Sequence, residues 1–294
     1  MVFVDSGSFL AEKKQHNYTQ FLRNYLDYTV GNLGVKEFQI IPTGSQNFKR
    51  YIDSLTRKSQ FPLIASNIFD LKSANQIKWE GVVQSSIQEV NQVKIGFVGI
   101  ITPNAAEKIP DRQINGLYFQ NAAKKIMAQT KKLKRKGAQV IVLMGNGELD
   151  CTSQLSHQEK IVEDKVNFSP FESYHCDIQR NVFYKVLKQL PPLTVDIVFS
   201  NGALSKVANY INDYPVLQNK GHGQYLSWAE LVFDRKHNTI DKKQTKIFQP
   251  IQLCHQFLKD SQDCYTKESI EDNELVPAKF LGQVIRVEDI PRFK

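Results

Sequence analysis

Five clusters of small polar residues stand where apolar runs stop: Asp5-Ser6-Gly7-Ser8, Gly44-Ser45-Gln46, Ser66-Asn67, Gly145-Asn146-Gly147 and Asn201-Gly202. Glycine lets the backbone approach a ligand closely. Hydroxyls, amides and free N–H groups can hold oxygen-rich ligands. Yet the clusters hold no histidine or cysteine, and the carboxylates in or near them are Asp5, Glu148 and Asp150. Asp5 at a strand end reads first as a turn-capping carboxylate. His222, between glycines in KGHGQYL, is a candidate pocket-lining residue or an ordinary turn histidine. His157 and His175 lie among Glu159, Glu163, Asp164, Glu172 and Asp177. That group could bind a metal, but it lacks regular ligand spacing and reads rather as a solvated loop with stray titratable groups. No nucleophile-elbow GxSxG motif is present.

The elements that must position these clusters follow an α/β rhythm. Short apolar runs at Val2–Val4, Phe38–Ile41, Leu63–Ala65, Lys94–Ile101, Val140–Met144 and Val195–Phe199 read as strands. The last three are apolar on both faces, as in buried parallel sheets. Between them, helical spacing recurs at Phe21, Leu22, Tyr25 and Leu26. It recurs at Phe48, Tyr51, Ile52 and Leu55, at Ala123, Ile126, Met127, Thr130 and Leu133, and at Val182, Phe183, Val186, Leu187 and Leu190. Leu226–Phe233 alternates like a half-buried antiparallel strand, and Trp79 and Trp228 read as packing residues. In open α/β sheets sites form at the carboxyl ends of strands, so the five clusters are expected to converge on one edge.

The 294 residues suffice for a large core, and 41% hydrophobic with 23% charged residues excludes collagen-like and wholly disordered chains. No apolar run is long enough for a transmembrane helix, and Met1–Ala11 lacks the basic lead of a signal peptide. The net charge of +8 includes Lys131, Lys132, Lys134, Arg135 and Lys136, which read as the last turn of a helix complementing its dipole. Lys242, Lys243 and Lys246 form a second run. The aromatics sit in core-like segments, against a nucleic-acid interface. Cys151, Cys176, Cys254 and Cys264 allow three pairings; the local choice is Cys151–Cys176 with Cys254–Cys264, and four free thiols is the alternative. Bridges would place the protein in an oxidising compartment.

The ordered series VDSGSFLA, PTGSQNF (42–48), FPLIASNI (61–68), KIGFVGIITP (94–103), KGAQVIVLMGNG (136–147), VDIVFSNGAL (195–204) and YLSWAELVFD (225–234) resembles the metallophosphoesterase domain of the bacterial 5′-nucleotidase family, of calcineurin-like fold. PIQLC (250–254) with Cys264, and AKFLG (278–282), resemble the end of that domain in exported members. The resemblance implies an α/β chain built as a four-layer α-β-β-α sandwich of the metallophosphoesterase type. Residues 1–248 would form it, and 249–294 a cysteine-clipped extension packing on it. The family's first strand, with Asp-x-His, would precede Met1. Sequence upstream would then carry a signal peptide, making the location periplasmic or otherwise extracytoplasmic.

The family binds two metal ions that generate hydroxide and clamp phosphate oxygens. Its Gly-Asp motif reads Gly7-Ser8 here, and Gly-Asn-His reads Gly44-Ser45-Gln46. The motif with a histidine two residues before glycine meets Gly145-Asn146-Gly147. Gly-His-x-His meets Asn201-Gly202-Ala203-Leu204. Serine, glycine and leucine do not replace hard anionic or imidazole ligands. Asp5, Ser8, Ser45, Gln46, Asn67, Gly145, Asn146, Asn201, Gly202 and Leu204 are thus expected to be vestigial-site positions, with no catalytic residue, metal or cofactor. The expected function is an inactive metallophosphoesterase-like protein that binds a protein or envelope partner. Two alternatives remain: a phosphoesterase with unconventional ligands, and a basic module binding nucleic acid or another anion.

Overall fold

The computed structural model describes residues 2–7, 28–39, 49–53, 56–57, 61–114, 116–147, 149, 151–152, 175–176, 181–202, 206–219, 225–248, 250–252, 256–258, 275–277, 279–280 and 283–284. Two sheets lie face to face. The first contains β1 (Val4–Asp5), β2 (Val30–Asn32), β3 (Leu63–Ile64) and β5 (Val82–Val83), all parallel and in the order β1-β2-β3-β5. Beside it β4 (Ile68–Asp70) pairs antiparallel with β8 (Leu117–Phe119).

The second sheet runs β13-β14-β12-β9-β7-β6. Its parallel centre is β7 (Val93–Ile101), β9 (Val140–Asn146), β12 (Ile197–Asn201) and β14 (Tyr214–Asn219). The edges β6 (Ser85–Val90) and β13 (Val207–Ile211) are antiparallel hairpin partners. Their two-residue turns, Asn91-Gln92 and Asn212-Asp213, take positive φ throughout, matching the twist of the flanking strands.

Side-chain alternation explains the three apolar runs. Phe97, Val142, Met144, Ile197 and Leu217 point between the sheets and meet Val30 and Ile64. Val98, Ile100, Ile141, Leu143, Val198 and Val216 point outward, under helices. Those helices are α4 (Ala122–Arg135) and α5 (Val182–Lys188), covering the face with Ala123, Ile126, Leu133, Phe183 and Leu187. On the far side of the first sheet, α1 (Val35–Gln39), α2 (Pro103–Ala106) and helical residues 49–53 bury Phe38, Ile52, Ala105 and Ala106. A further short helix, α3 (Asp111–Ile114), lies between α2 and β8. The layers are α-β-β-α.

Two expectations are corrected. Phe38 belongs to a helix, not to a strand over 38–41: Val35 and Phe38, one turn apart, both enter the core, and Glu37 accepts the Gly34 N–H at 2.7 Å. The strand here is Val30–Asn32 instead. The stretch Leu226–Phe233 is not one strand but short pieces. Tyr225–Leu226 pairs with Ile251–Gln252, Ala229–Glu230 with Lys246–Ile247, and Phe233–Asp234 with Thr239–Ile240. The register slips between pairs, so the same two chain legs are interrupted rather than laddered. Trp228 stacks on Phe248 with centroids 3.7 Å apart, and Trp79 packs beside the second core.

Local sequence fixes α4 at both ends. The Asn121 side chain accepts the Lys124 N–H at 2.9 Å, and the chain leaves through Gly137 at φ +89. Lys132, Lys134 and Arg135 occupy its last turn, as the charge pattern implied. Replacing Asn121 by Ala is expected to lower unfolding free energy by about 1 kcal/mol, measured by urea denaturation.

Candidate functional site

Every described polar cluster lies at the carboxyl ends of parallel strands. Asp5 ends β1, Ser66-Asn67 follow β3, Asn146-Gly147 end β9 and Asn201-Gly202 end β12. The structure adds Asn32 at the end of β2 and Gln218 in β14, which sequence patterning passed over, and brings Thr102 after β7 and Ser200 in β12 to the same edge. Asn32 followed by Gly34 was the legible signal for the first. A three-residue strand is too short to register as periodic.

These polar groups are spent on the protein itself. Asn32 is fully buried, and its Nδ2 donates to Ser6 O and Ile100 O, both at 3.0 Å. The Asn146 Oδ1 accepts Val35 N–H at 3.0 Å, and Asn201 Nδ2 donates to Gly7 O. The bonds from Asn32 to Ile100, from Val35 to Asn146 and from Asn201 to Gly7 run between the two sheets and close their carboxyl edges together, while Asn32–Ser6 ties β2 to the loop after β1. Asn67 pairs twice with Ile101: its Nδ2 donates to the carbonyl at 2.8 Å and its Oδ1 accepts the N–H at 3.1 Å. Gln218 does the same with Leu149, at 2.8 Å each way, and Ser200 donates to Gly147 O at 2.6 Å. Asp5 Oδ1 accepts the Gly7 N–H at 2.8 Å, forming the turn cap its position suggested.

The space beside the strand-end glycines is filled as well. A Cβ on Gly145 would lie 2.2 Å from Phe183, on Gly147 2.2 Å from Thr102, and on Gly202 2.7 Å from Gln218. On Gly99 it would lie 2.3 Å from the Asn32 Oδ1. That oxygen is buried without a hydrogen-bond partner, the one unsatisfied polar atom at this edge among the described residues.

The described positions do not fit a two-metal centre. The amide oxygens of Asn67 and Asn146 already accept backbone N–H groups, one oxygen of Asp5 caps its own turn, and Asn32 offers a single neutral oxygen. No group of three or more His, Cys, Asp or Glu side chains gathers among the described residues. Ser8, Ser45, Gln46, Leu204, His157 and His222 lie outside the described residues, as do Cys254 and Cys264. Cys151 and Cys176 face each other across a two-stranded ladder, β10 (Cys151–Thr152) and β11 (His175–Cys176).

A half-buried acid, Asp196, lies at the opposite edge, where β12 begins. Burial pushes its carboxyl above the usual range, while the Ile141 N–H donated at 2.7 Å and the charges of Lys134 and Lys242 act the other way. It lines a small depression with Tyr210, Pro215, Ile240, Lys242 and Thr245, remote from the strand-end clusters.

Comparison with solved structures decides the architecture. The calcineurin-like phosphoesterase YfkN of Bacillus subtilis superposes with a TM-score of 0.60 at 16% identity, over 84% of this chain and 76% of that one. The chain has the calcineurin-like metallophosphoesterase fold. A 5′-nucleotidase precursor from Thermus thermophilus matches with a TM-score of 0.54 at 15% identity, over 84% of this chain and 45% of its own. The 5′-nucleotidase of Candida albicans gives 0.53 at 14%, over 85% and 43%. In sequence, the metallophosphoesterase-like chain is 25% identical over 134 residues to a cell wall protein of Listeria monocytogenes. The match covers 41% of this chain and 16% of the Listeria protein. The chain therefore spans a small part of that relative and under half of the two nucleotidases. No protein-family model matches the sequence.

The filled strand-end spaces give a stability prediction. Gly145→Ala forces the new methyl into the Phe183 ring and is expected to cost about 1–3 kcal/mol, read from the midpoint shift in urea unfolding.

Proposed function

We propose that this metallophosphoesterase-like domain is catalytically inactive and serves as a binding or scaffold domain in the cell envelope. One observation carries the reading: at the strand ends where the fold's enzymes hold metal, the described side chains are, apart from Asp5, neutral amides and hydroxyls engaged with one another and with backbone, and one Asp5 oxygen caps its own turn. Ser8, Ser45, Gln46 and Leu204 extend the same reading by residue type. A hard divalent cation is held by carboxylates and imidazoles. Without it the hydroxide nucleophile and the clamp on phosphate are lost. What the fold retains is a rigid, amide-stitched edge rimmed by loops, suited to holding a protein or envelope component.

Elemental analysis of purified protein given zinc, manganese and magnesium is expected to find substoichiometric metal. Turnover of p-nitrophenyl phosphate is expected at background. Stoichiometric metal with turnover that Asp5→Ala abolishes would overturn the proposal in favour of a phosphoesterase with unconventional ligands.

An extracytoplasmic location accompanies this reading, supported by the Listeria cell wall relative. Cys151 and Cys176 add to it. They are register partners on antiparallel strands, where opposed Cα atoms stand about 4.5–5.5 Å apart, within the span of a disulfide. Closing the intervening loop would stabilise the fold by about 3–4 kcal/mol on the chain-entropy account. With Cys254–Cys264 as the second bridge, thiol titration of the denatured, unreduced protein is expected to find no free thiol. Four titrating thiols would remove both bridges and the argument from them.

A further inference from the structure

The outer helical layer of the six-stranded sheet carries an unbalanced charge that the helix dipole explains only in part. Helices α4 and α5 contain no acidic residue. Lys124, Lys131, Lys132, Arg135 and Lys136 are exposed along α4, and none makes an ion pair with a described residue. The helix dipole favours cations in the last turn only; Lys124 sits in the first turn, where the dipole opposes it. Lys131–Arg135 and Lys132–Lys136 are like-charge pairs four residues apart, which weaken a helix.

Next to this face stands an unusual turn. Leu193 is 58% exposed and takes φ +62, a left-handed conformation rare for a branched side chain. The turn is fixed in place. Pro191 O accepts from Tyr214 Oη and from Thr194 Oγ1 at 2.6 Å, and Lys134 Nζ donates to Leu193 O at 3.2 Å. Pro191 and Pro192 are exposed beside it. A strained backbone thus displays an apolar side chain largely to solvent, beside the cationic helix.

We propose that this face docks on an anionic lipid surface, the α4 cations meeting headgroup phosphates and Leu193 entering the acyl boundary. Charge complementarity selects an anionic partner, and the presented leucine selects a bilayer over a soluble polyanion, which offers it no apolar phase. The docking is peripheral: no helix among the described residues is long and apolar enough to cross a membrane. The face lies on the helical layer, away from the strand-end clusters, so the proposal does not depend on whether that edge is catalytic.

The test is co-sedimentation of the full chain with phosphatidylcholine vesicles, with and without phosphatidylglycerol. Binding is expected only with phosphatidylglycerol, weakening as salt rises. Replacing Lys131, Lys132 and Arg135 together by Gln is expected to weaken it roughly a hundredfold, at roughly fivefold per cation. Leu193→Asn suits the left-handed backbone, so thermal unfolding by circular dichroism is expected to show equal or greater stability, while vesicle binding falls about tenfold. Its affinity for long-chain polyphosphate is expected to stay unchanged. No retention by anionic vesicles would overturn the proposal. So would retention that Leu193→Asn leaves intact, which would mean that charge alone holds the face and that Leu193 enters no bilayer.

Discussion

Two parallel sheets can be pressed together by apolar side chains anywhere along their length, but their carboxyl edges end in backbone groups that need partners. Here buried amides supply them. Asn32, Asn146 and Asn201 reach from one sheet or its following loop to the other, and each satisfies backbone donors or acceptors that would otherwise be stranded. A made bond of this kind contributes only about 1 kcal/mol net, whereas a buried group left without its partner costs about 1–3 kcal/mol. The register of the sandwich at this edge is therefore held by what would be lost on separation. The glycines at 99, 145, 147 and 202 follow from that arrangement, because each leaves the volume that Asn32, Phe183, Thr102 or Gln218 occupies.

The same constraint shapes the chemistry. The described amides of this edge serve the backbone, and one oxygen of Asp5 caps its own turn. Metal-dependent hydrolysis needs anionic or imidazole ligands held free of such duties. Asp196, a half-buried acid at the start of β12, is at the opposite edge and accepts the Ile141 N–H there. A run of exposed cations likewise stands away from the strand ends, along the helical layer with its exposed leucine turn.

Much of the fold was legible in the residues. Lys94–Ile101, Val140–Met144 and Val195–Phe199 read as strands buried on both faces and became the interior of the six-stranded sheet, because each alternates between the inter-sheet core and the helix-covered face. Gly137 marked the end of α4. Val30–Asn32 was not legible, since a three-residue strand containing glycine carries no period. Phe38 misled because a short apolar run suits a strand or one buried helical turn equally.

The sequence by itself determined the alternation of strands and helices, the convergence of polar clusters on one sheet edge, and the residue types standing there. These follow from hydrophobic period and turn chemistry, which are local. Only the tertiary structure decided that Asn32 and Gln218 belong to that edge, that Phe183 fills the space at Gly145, and that Asn146 bonds Val35 more than a hundred positions away. It alone set Lys134 against the strained Leu193 turn. Such contacts join residues whose separation in the chain carries no periodic signal, and they exist only once both sheets and their helices have packed.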